Sequence, residues 1–381
     1  MCYGTFYKHD GQEITDYKLG DINLEKKAED NSRHRSISFK AIFGREGRLE
    51  SIIIYAAAIL SAFIISALLI LAYGADPITA FSGFFLTLGS LHGITEVFVR
   101  ATPILLTGLA VTVAFRCKVF NLGIEGQFWI GAIATTGLGL VLSLPFIIFI
   151  PLLLLASFLA AGAYASVAGV LKAKYGINEI VLTLMMNFIA LQLGTYMFET
   201  AWRDPTASHS QTPLISPLAW LPRLVPATRL NAGLLIALAF IPLMYIFLWK
   251  TTWGYELRAT GGSFKAATFG GINAKRSVML AMFISGGLAG VAGMLEVTGL
   301  FHLLIEGISA GYGFFGVAAG LLGRLNPIGV TLSALFLSII SVGVDTMQRT
   351  AQVPIYLVSI IQALLLLFLV SVEHLVQRRR K

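Results

Sequence analysis

From Gln127 to Leu171 the chain runs 45 residues without one Asp, Glu, Lys or Arg. A helix needs about 20 apolar residues to cross a bilayer, so this run is too long for one crossing and right for two. Pro145 and Pro151 stand where a turn between them would fall. The rest of the chain continues the pattern. Of 28 basic and 20 acidic residues, nine of each lie in residues 1–50, leaving 30 charges for the other 331 residues. Soluble domains are about a quarter charged, so 30 charges cannot coat a soluble surface. The sequence therefore excludes a soluble cytosolic enzyme and predicts an all-α, polytopic helical bundle in a membrane.

Further crossings are read at Ser51–Tyr73, Ala101–Phe115 (between Arg100 and Arg116), Ile180–Phe198, Leu230–Trp249 and Ser277–Leu295. Gly307–Gly323 is short and glycine-rich, Leu325–Val344 is of normal length, and Thr350–Val372 is the last. The total is about ten transmembrane or partly re-entrant helices. Arg33, Arg35, Lys40, Arg45 and Arg48 precede the first crossing, and Arg378–Lys381 follow the last. Both clusters, with the even count, place the N- and C-termini in the cytoplasm. The same parity puts Lys250–Arg276 inside and Glu199–Arg229 outside. The expected organisation is a polar, poorly ordered cytoplasmic extension (1–50), a transmembrane domain (51–373) and a basic cytoplasmic tail (374–381).

The isoelectric point near 9.5 fits this topology better than a nucleic-acid patch, because the basic residues sit mainly in short connections. The two cysteines, Cys2 and Cys117, are far apart and make neither a metal cluster nor a disulfide framework. No secretory signal precedes the first apolar run, which is expected to act as an uncleaved anchor. Chemistry-bearing motifs are missing too. There is no Walker A loop, no His-Glu-x-x-His, no Gly-x-Ser-x-Gly and no pair of intramembrane aspartates. Catalytic and metal-ligating residues are therefore assigned to none.

Polar groups at membrane depth are costly and call for a reason. The densest set is Phe120–Gln127, where Asn121, Glu125 and Gln127 interrupt apolar sequence alongside Gly123 and Gly126. It suits a broken or re-entrant element facing protein or a cavity; an ordinary cytoplasmic turn is the alternative. Asn187 and Gln192 are offset by about 140° on their helix, which leaves one to line a pathway and the other to bond a neighbour. Glu296 and Glu306 flank a presumed outer end and are expected to be wet. The glycines of Gly311–Gly323 fit close helix packing or a flexible gate. The outer connection holds five prolines with Trp202 and Trp220; it is read either as a loop lying on the bilayer or as a docking surface.

Phe120–Gln127, F-N-L-G-I-E-G-Q, resembles the signature of bacterial ABC-transporter permeases for nucleosides, within the group that includes ribose-type and branched-chain amino acid permeases. Four more stretches match in order: Ala101–Arg116 (ATPILLTGLAVTVAFR), Asn178–Asn187 (NEIVLTLMMN), Arg258–Arg276 (RATGGSFKAATFGGINAKR) and Gly313–Gly329 (GFFGVAAGLLGRLNPIG). The resemblance covers roughly residues 51–375. It departs where relatives have Gly-x-Asn-Pro and this chain has Gly261-Gly262-Ser263-Phe264.

The resemblance implies a permease subunit of an importer in the bacterial inner membrane, with no cofactor of its own and ATP hydrolysed by a partner. It implies an ABC ATPase subunit, a second and different permease subunit, and an extracytoplasmic substrate-binding protein, in a lipid bilayer and without nucleic acid. Arg258–Arg276 would then be the ATPase-coupling loop. Ala266, Ala267 and Gly270 would allow close approach, Arg258 and Lys265 would anchor it, and Gly261, Gly271 and Ile272 belong to the same loop. A neutral nucleoside needs hydrogen-bonding groups rather than fixed charge. Asn121, Gln127 and Asn187 are the candidate pathway residues, with Glu125 organising them. A simple sugar such as ribose, or a branched-chain amino acid, is the rival substrate. An ion-coupled secondary transporter is the rival from another class.

Overall fold

Apolar runs separated by glycine, proline and basic residues become helices of unequal length. A computed structural model describes residues 60–368 except 62, 355, 358, 365 and 366. The extension 1–50, residues 51–59 of the crossing expected at Ser51–Tyr73, the end of that expected at Thr350–Val372 and the basic tail 374–381 lie outside the described residues. In chain order the helices are α1 (Phe63–Tyr73), α2 (Pro77–Leu88), α3 (Leu91–Arg116), α4 (Ile124–Val141), α5 (Phe146–Tyr175) and α6 (Glu179–Tyr196). Then come α7 (Gly233–Lys250), α8 (Thr252–Gly262), α9 (Phe264–Phe269), α10 (Ala274–Glu296), α11 (Tyr312–Leu322) and α12 (Pro327–Ala351). A π-helical turn continues α6 over Met197–Ala201 and another continues α10 over Val297–Phe301. All these helices belong to one unit, Ser61–Ser371. Among the described residues the only β-structure is two isolated bridges, Gln211 with Ile305 and Arg223 with Asn231.

Six of these helices are long and apolar enough to cross a membrane. Their burial separates them. The apolar windows of α3 and α10 are 89% and 83% buried, against 33%, 28% and 22% for α5, α6 and α7. In lipid the apolar effect does not drive helices together, so close packing of small residues does it. Gly286, Gly287, Gly290 and Gly293 line α10. A side chain at Gly290 would meet Ala161 and Ser157 of α5, and one at Gly293 would meet the Phe128 carbonyl of α4. The exposed faces of α5–α7 carry Leu155, Leu159, Val181, Phe188, Ile189, Leu235 and Ile246, suited to lipid.

Several boundaries differ from the sequence reading. Arg100 does not end a crossing: α3 begins nine residues earlier, N-capped by Ser90, whose hydroxyl accepts from Gly93 N. The apolar helix α2 was not counted; Asp76 caps it, accepting from the amides of Ile78 and Thr79. The turn within the 45-residue run uses Pro145 alone, and Pro151 is accommodated inside α5. The last break falls at Gln352, which has a left-handed backbone (φ 50°), so α12 runs on past Val344.

Candidate functional site

The irregular Cys117–Gly123 connection between α3 and α4 is held by side chains rather than by regular backbone pairing. Asn121 and Gln127 exchange two hydrogen bonds, Asn121 Nδ2 to Gln127 Oε1 at 2.8 Å and Gln127 Nε2 to Asn121 Oδ1 at 3.0 Å. Asn121 Nδ2 also donates to Ser285 Oγ of α10 at 2.9 Å, and Gly123 N donates to Asn121 Oδ1 at 3.0 Å. From α6, Asn187 accepts from Gly126 N and donates to the Leu122 carbonyl, both at 2.8 Å. Thr183 Oγ1 accepts from Leu122 N at 3.2 Å, and Glu179 Oε1 from Phe120 N at 3.4 Å. Asn121, Gln127 and Asn187 are all buried. The structure therefore brings the three amides together at one junction of α4, α6 and α10. Gln192 is exposed on its helix, so of the two amides only Asn187 bonds a neighbouring element.

Glu125 faces a different neighbour. Its Oε2 accepts from Gly313 N at 2.8 Å, in the first turn of α11, with Ser309 and Gly311 as further donors. A carboxylate at a helix N-terminus satisfies amides that have no partner within the helix. Helix α11 has 11 residues, or about 16 Å, roughly half a hydrocarbon core. Its N-cap Gly311 has φ 77°, a backbone open to glycine. Thr107 Oγ1 donates to the Tyr312 carbonyl at 3.0 Å, and Gly316 lies against Thr107 with no room for a side chain.

At the Arg116 end of the bundle the presumed coupling loop divides into α8, α9 and a turn. Ser263 N-caps α9, accepting from Ala266 N at 3.3 Å. Arg116 and Arg258 flank the Trp249 ring, at 5.1 and 5.9 Å from its centroid. Gly261 packs against the Arg116 carbonyl, and a side chain there would collide with it. Within the expected approach surface, Ala267 turns inward while Lys265, Ala266, Gly270 and Gly271 are exposed and Ile272 is half-buried. Sequence reasoning missed Phe269, 92% exposed at the end of α9. Gly271 has φ 84°, so any side chain there is strained whatever it touches. A cavity of about 330 Å³ opens beside this region, lined by Lys118, Lys172, Thr260 and Phe264 among others. Lys172 is tied to Glu179 at 2.6 Å. Cys117 also lines the cavity, and burial pushes its thiol up to about 12.

A second polar cluster lies at the other end of α3, where Glu96 is twenty residues from Arg116, about 30 Å away. Glu96 forms a two-pronged ion pair with Arg229. Arg100 donates to Ser341 Oγ at 2.7 Å and forms an ion pair with Asp345, both on α12. Glu296, expected to be wet, is 4% exposed, and its Oε2 has no hydrogen-bond partner. It is buried because α3 and the Leu230–Asn231 segment close over the end of α10. Glu306 is exposed, as expected. One signal for this cluster was legible: Glu96 and Arg100 stand i, i+4 on one helix face. Their partners, 133 and 245 residues away, were not.

The segment Glu199–Arg229 is pinned to the chain around residues 298–305. Ile215 N donates to the His302 carbonyl at 2.9 Å, Leu221 N to the Thr298 carbonyl at 2.9 Å and Thr212 N to the Leu304 carbonyl at 3.1 Å. Trp220 stacks on His302 with ring centroids 4.2 Å apart, and Trp202 packs over Gly137. Both tryptophans therefore pack within the chain. Among the described residues no group of three or more His, Cys, Asp or Glu comes together to hold a metal.

Residues 93–370 match the family described as branched-chain amino acid transport system / permease component. A glucose ABC transporter permease protein of Haloferax volcanii is 35% identical over 83% of this chain and 86% of its own length. A guanosine ABC transporter permease protein of Bacillus subtilis is 33% identical over 85% and 94%, respectively. A nucleoside ABC transporter permease protein of Lactococcus lactis subsp. cremoris is 32% identical over 84% and 90%. No solved structure matches the chain. The chain belongs to this family of ABC-transporter permease subunits, and it is a multi-pass membrane protein rather than an enzyme.

Proposed function

We propose that this permease subunit moves nucleosides inward across a bacterial cytoplasmic membrane, by alternating access driven by a separate ATPase. The observation that carries the substrate is the Phe120–Gln127 junction. Its F-N-L-G-I-E-G-Q form is the one that the sequence reading tied to nucleoside permeases, and permeases named for guanosine and nucleosides match over most of the chain. A neutral solute also suits the uncharged amide groups of Asn121, Gln127 and Asn187. Those groups stand where α4, α6 and α10 meet, and Glu125 fixes α11 beside them. Relative movement of these helices would turn the amides from one another toward a passing solute.

The Arg116 end is read as cytoplasmic, from the bias of basic residues toward it. There α9 would enter a groove of the ATPase subunit, with Phe269 as an aromatic anchor and Ala266 and Gly270 allowing close approach. Arg258 and Lys265 stand on the same loop. The outer segment Glu199–Arg229 would receive an extracytoplasmic binding protein, and a second, different permease subunit would complete the pathway. The chain binds no cofactor itself; ATP is hydrolysed by the partner.

A sugar is the second reading, favoured by the glucose permease relative. Uptake of labelled nucleosides, sugars and amino acids separates the two, measured with and without this chain in cells that supply the ATPase, second permease and binding protein. Nucleoside uptake that disappears with the chain is the expected result. Loss of glucose uptake alone would replace the substrate, and uptake that persists without the ATPase would overturn the importer.

A further inference from the structure

The charged cluster at the end of α3 contains a group that the protein leaves unsatisfied. Glu296 is 4% exposed and its Oε2 lacks a hydrogen-bond partner. A buried carboxylate oxygen without a donor is costly. The π-helical turn Val297–Phe301 begins at the next residue; such turns occur frequently at functional sites. Glu296 borders a small cavity, about 10 Å³, with Val99, Thr102, Leu230, Asn231 and Leu295.

The other polar groups of that cavity are acceptors or are already engaged. Thr102 Oγ1 donates its proton to the Phe98 carbonyl at 2.9 Å, which leaves its lone pairs. Pro103 has no N–H for the carbonyl of Val99, four residues before it in α3, so the helical pattern gives that carbonyl no donor. Asn231 spends its amide on the Gly299 carbonyl at 2.9 Å and accepts from Gly233 N at 2.9 Å. The cavity is thus rich in acceptors and short of donors. Arg100, Arg229 and Glu96 are the charged neighbours of Glu296, and the arginines are already paired with Asp345 and Glu96, so neither sign of charge is left free for an ionic ligand. What fits is an uncharged ligand that brings its own O–H donors.

We infer that Glu296 is a specificity-determining residue that accepts a hydroxyl of a neutral, polyhydroxylated substrate, with the Val99 carbonyl and Thr102 Oγ1 as neighbouring acceptors. The inference rests on the permease reading and deepens it. In the present conformation the cavity has room for about one water, so it represents the site closed. The Glu96–Arg229 ion pair bridges α3 and the segment leading into α7, across that closure. Parting these two groups would widen the cavity between the elements that line it.

The test uses the complete importer and compares uptake of a ribonucleoside with its 2′-deoxy and 3′-deoxy analogues. The binding protein is unchanged throughout, so a change in the ratio reports on this chain. Two variants are needed, Glu296→Met, which removes the acceptor at similar volume, and Glu296→Gln, which keeps one acceptor oxygen. Uptake is normalised to assembled complex, and the exposed Glu306→Gln serves as control. For one deoxy analogue, the preference for the ribonucleoside is expected to shrink about tenfold in Glu296→Met and less in Glu296→Gln. Equal loss for all substrates, as from a group that only holds a structural water, would overturn the inference, and so would an unchanged ratio. If the wild-type importer carries glucose and no nucleoside, the substrate reading fails by itself. The same comparison with deoxyglucoses then decides the role of Glu296.

Discussion

The two polar clusters of this bundle solve the same problem in opposite ways. At the Arg116 end, Asn121, Gln127, Asn187 and Ser285 are neutral and give their hydrogen bonds to one another or to the Cys117–Gly126 backbone. At the other end, Glu96, Arg100, Arg229 and Asp345 form ion pairs between elements distant in sequence, and Glu296 beside them has one oxygen unpartnered. A fully satisfied network fixes a geometry. A cluster with an acceptor to spare is prepared for a change of partner. The first keeps its amides engaged with one another until the helices move, and the second holds an acceptor in reserve.

The comparison breaks most visibly at Arg229. Arg229→Ala leaves the Glu96 carboxylate buried without its cation, and a loss of about 3 kcal/mol in stability is expected. Thermal unfolding in detergent would show it, and adding Glu96→Gln should restore part of the loss. If the single variant melts like the wild type, the charged cluster does not hold the bundle together. Asn121→Ala is next. It deprives the Gln127 amide of its partner and Ser285 Oγ and Gly123 N of theirs, with an expected cost of about 2 kcal/mol. Transport should fall with it because the junction loses its geometry, and unaltered uptake would make the network dispensable.

How far the sequence reached divides along the same line. The amide junction was legible because its members lie close together in a segment whose polarity is conspicuous against apolar surroundings. Most long helices were legible as charge-free runs whose ends moved, as when Ser90 rather than Arg100 began α3, whereas the short apolar α2 was missed. The charged cluster was not legible as a unit. Glu296 read as a wet residue at a helix end, because nothing local reveals that Leu230 and Asn231 fold over it. The depth of Ala267 and the exposure of Phe269 on a six-residue helix likewise depend on tertiary packing.

Phe269→Ala sharpens the contrast from outside both clusters. Stability should change by no more than about 0.5 kcal/mol, since the side chain is exposed. Association with the ATPase subunit, measured by co-purification across a concentration series, should weaken about tenfold, as for an aromatic interface anchor. The smallest effect concerns Cys117, beside the amide junction. Its thiol, raised to about 12 by burial, stays protonated at pH 8. In a Cys2→Ser background, labelling by iodoacetamide should therefore be negligible in the folded protein and complete after denaturation. Rapid labelling of the folded chain would show that this end opens readily.

The half-length of α11 also bears on how the chain is built into the membrane. Eleven residues cannot hold themselves across a bilayer, and the first amides of the helix rely on a carboxylate from α4. Helix α4 is synthesised well before α11, so the acceptor is in place when the short helix arrives. A circular permutant in which Tyr312–Leu322 emerges ahead of Ile124–Val141 would present a span with neither the length nor the partner to stay inserted. The order of the chain is thus itself part of the assembly instruction.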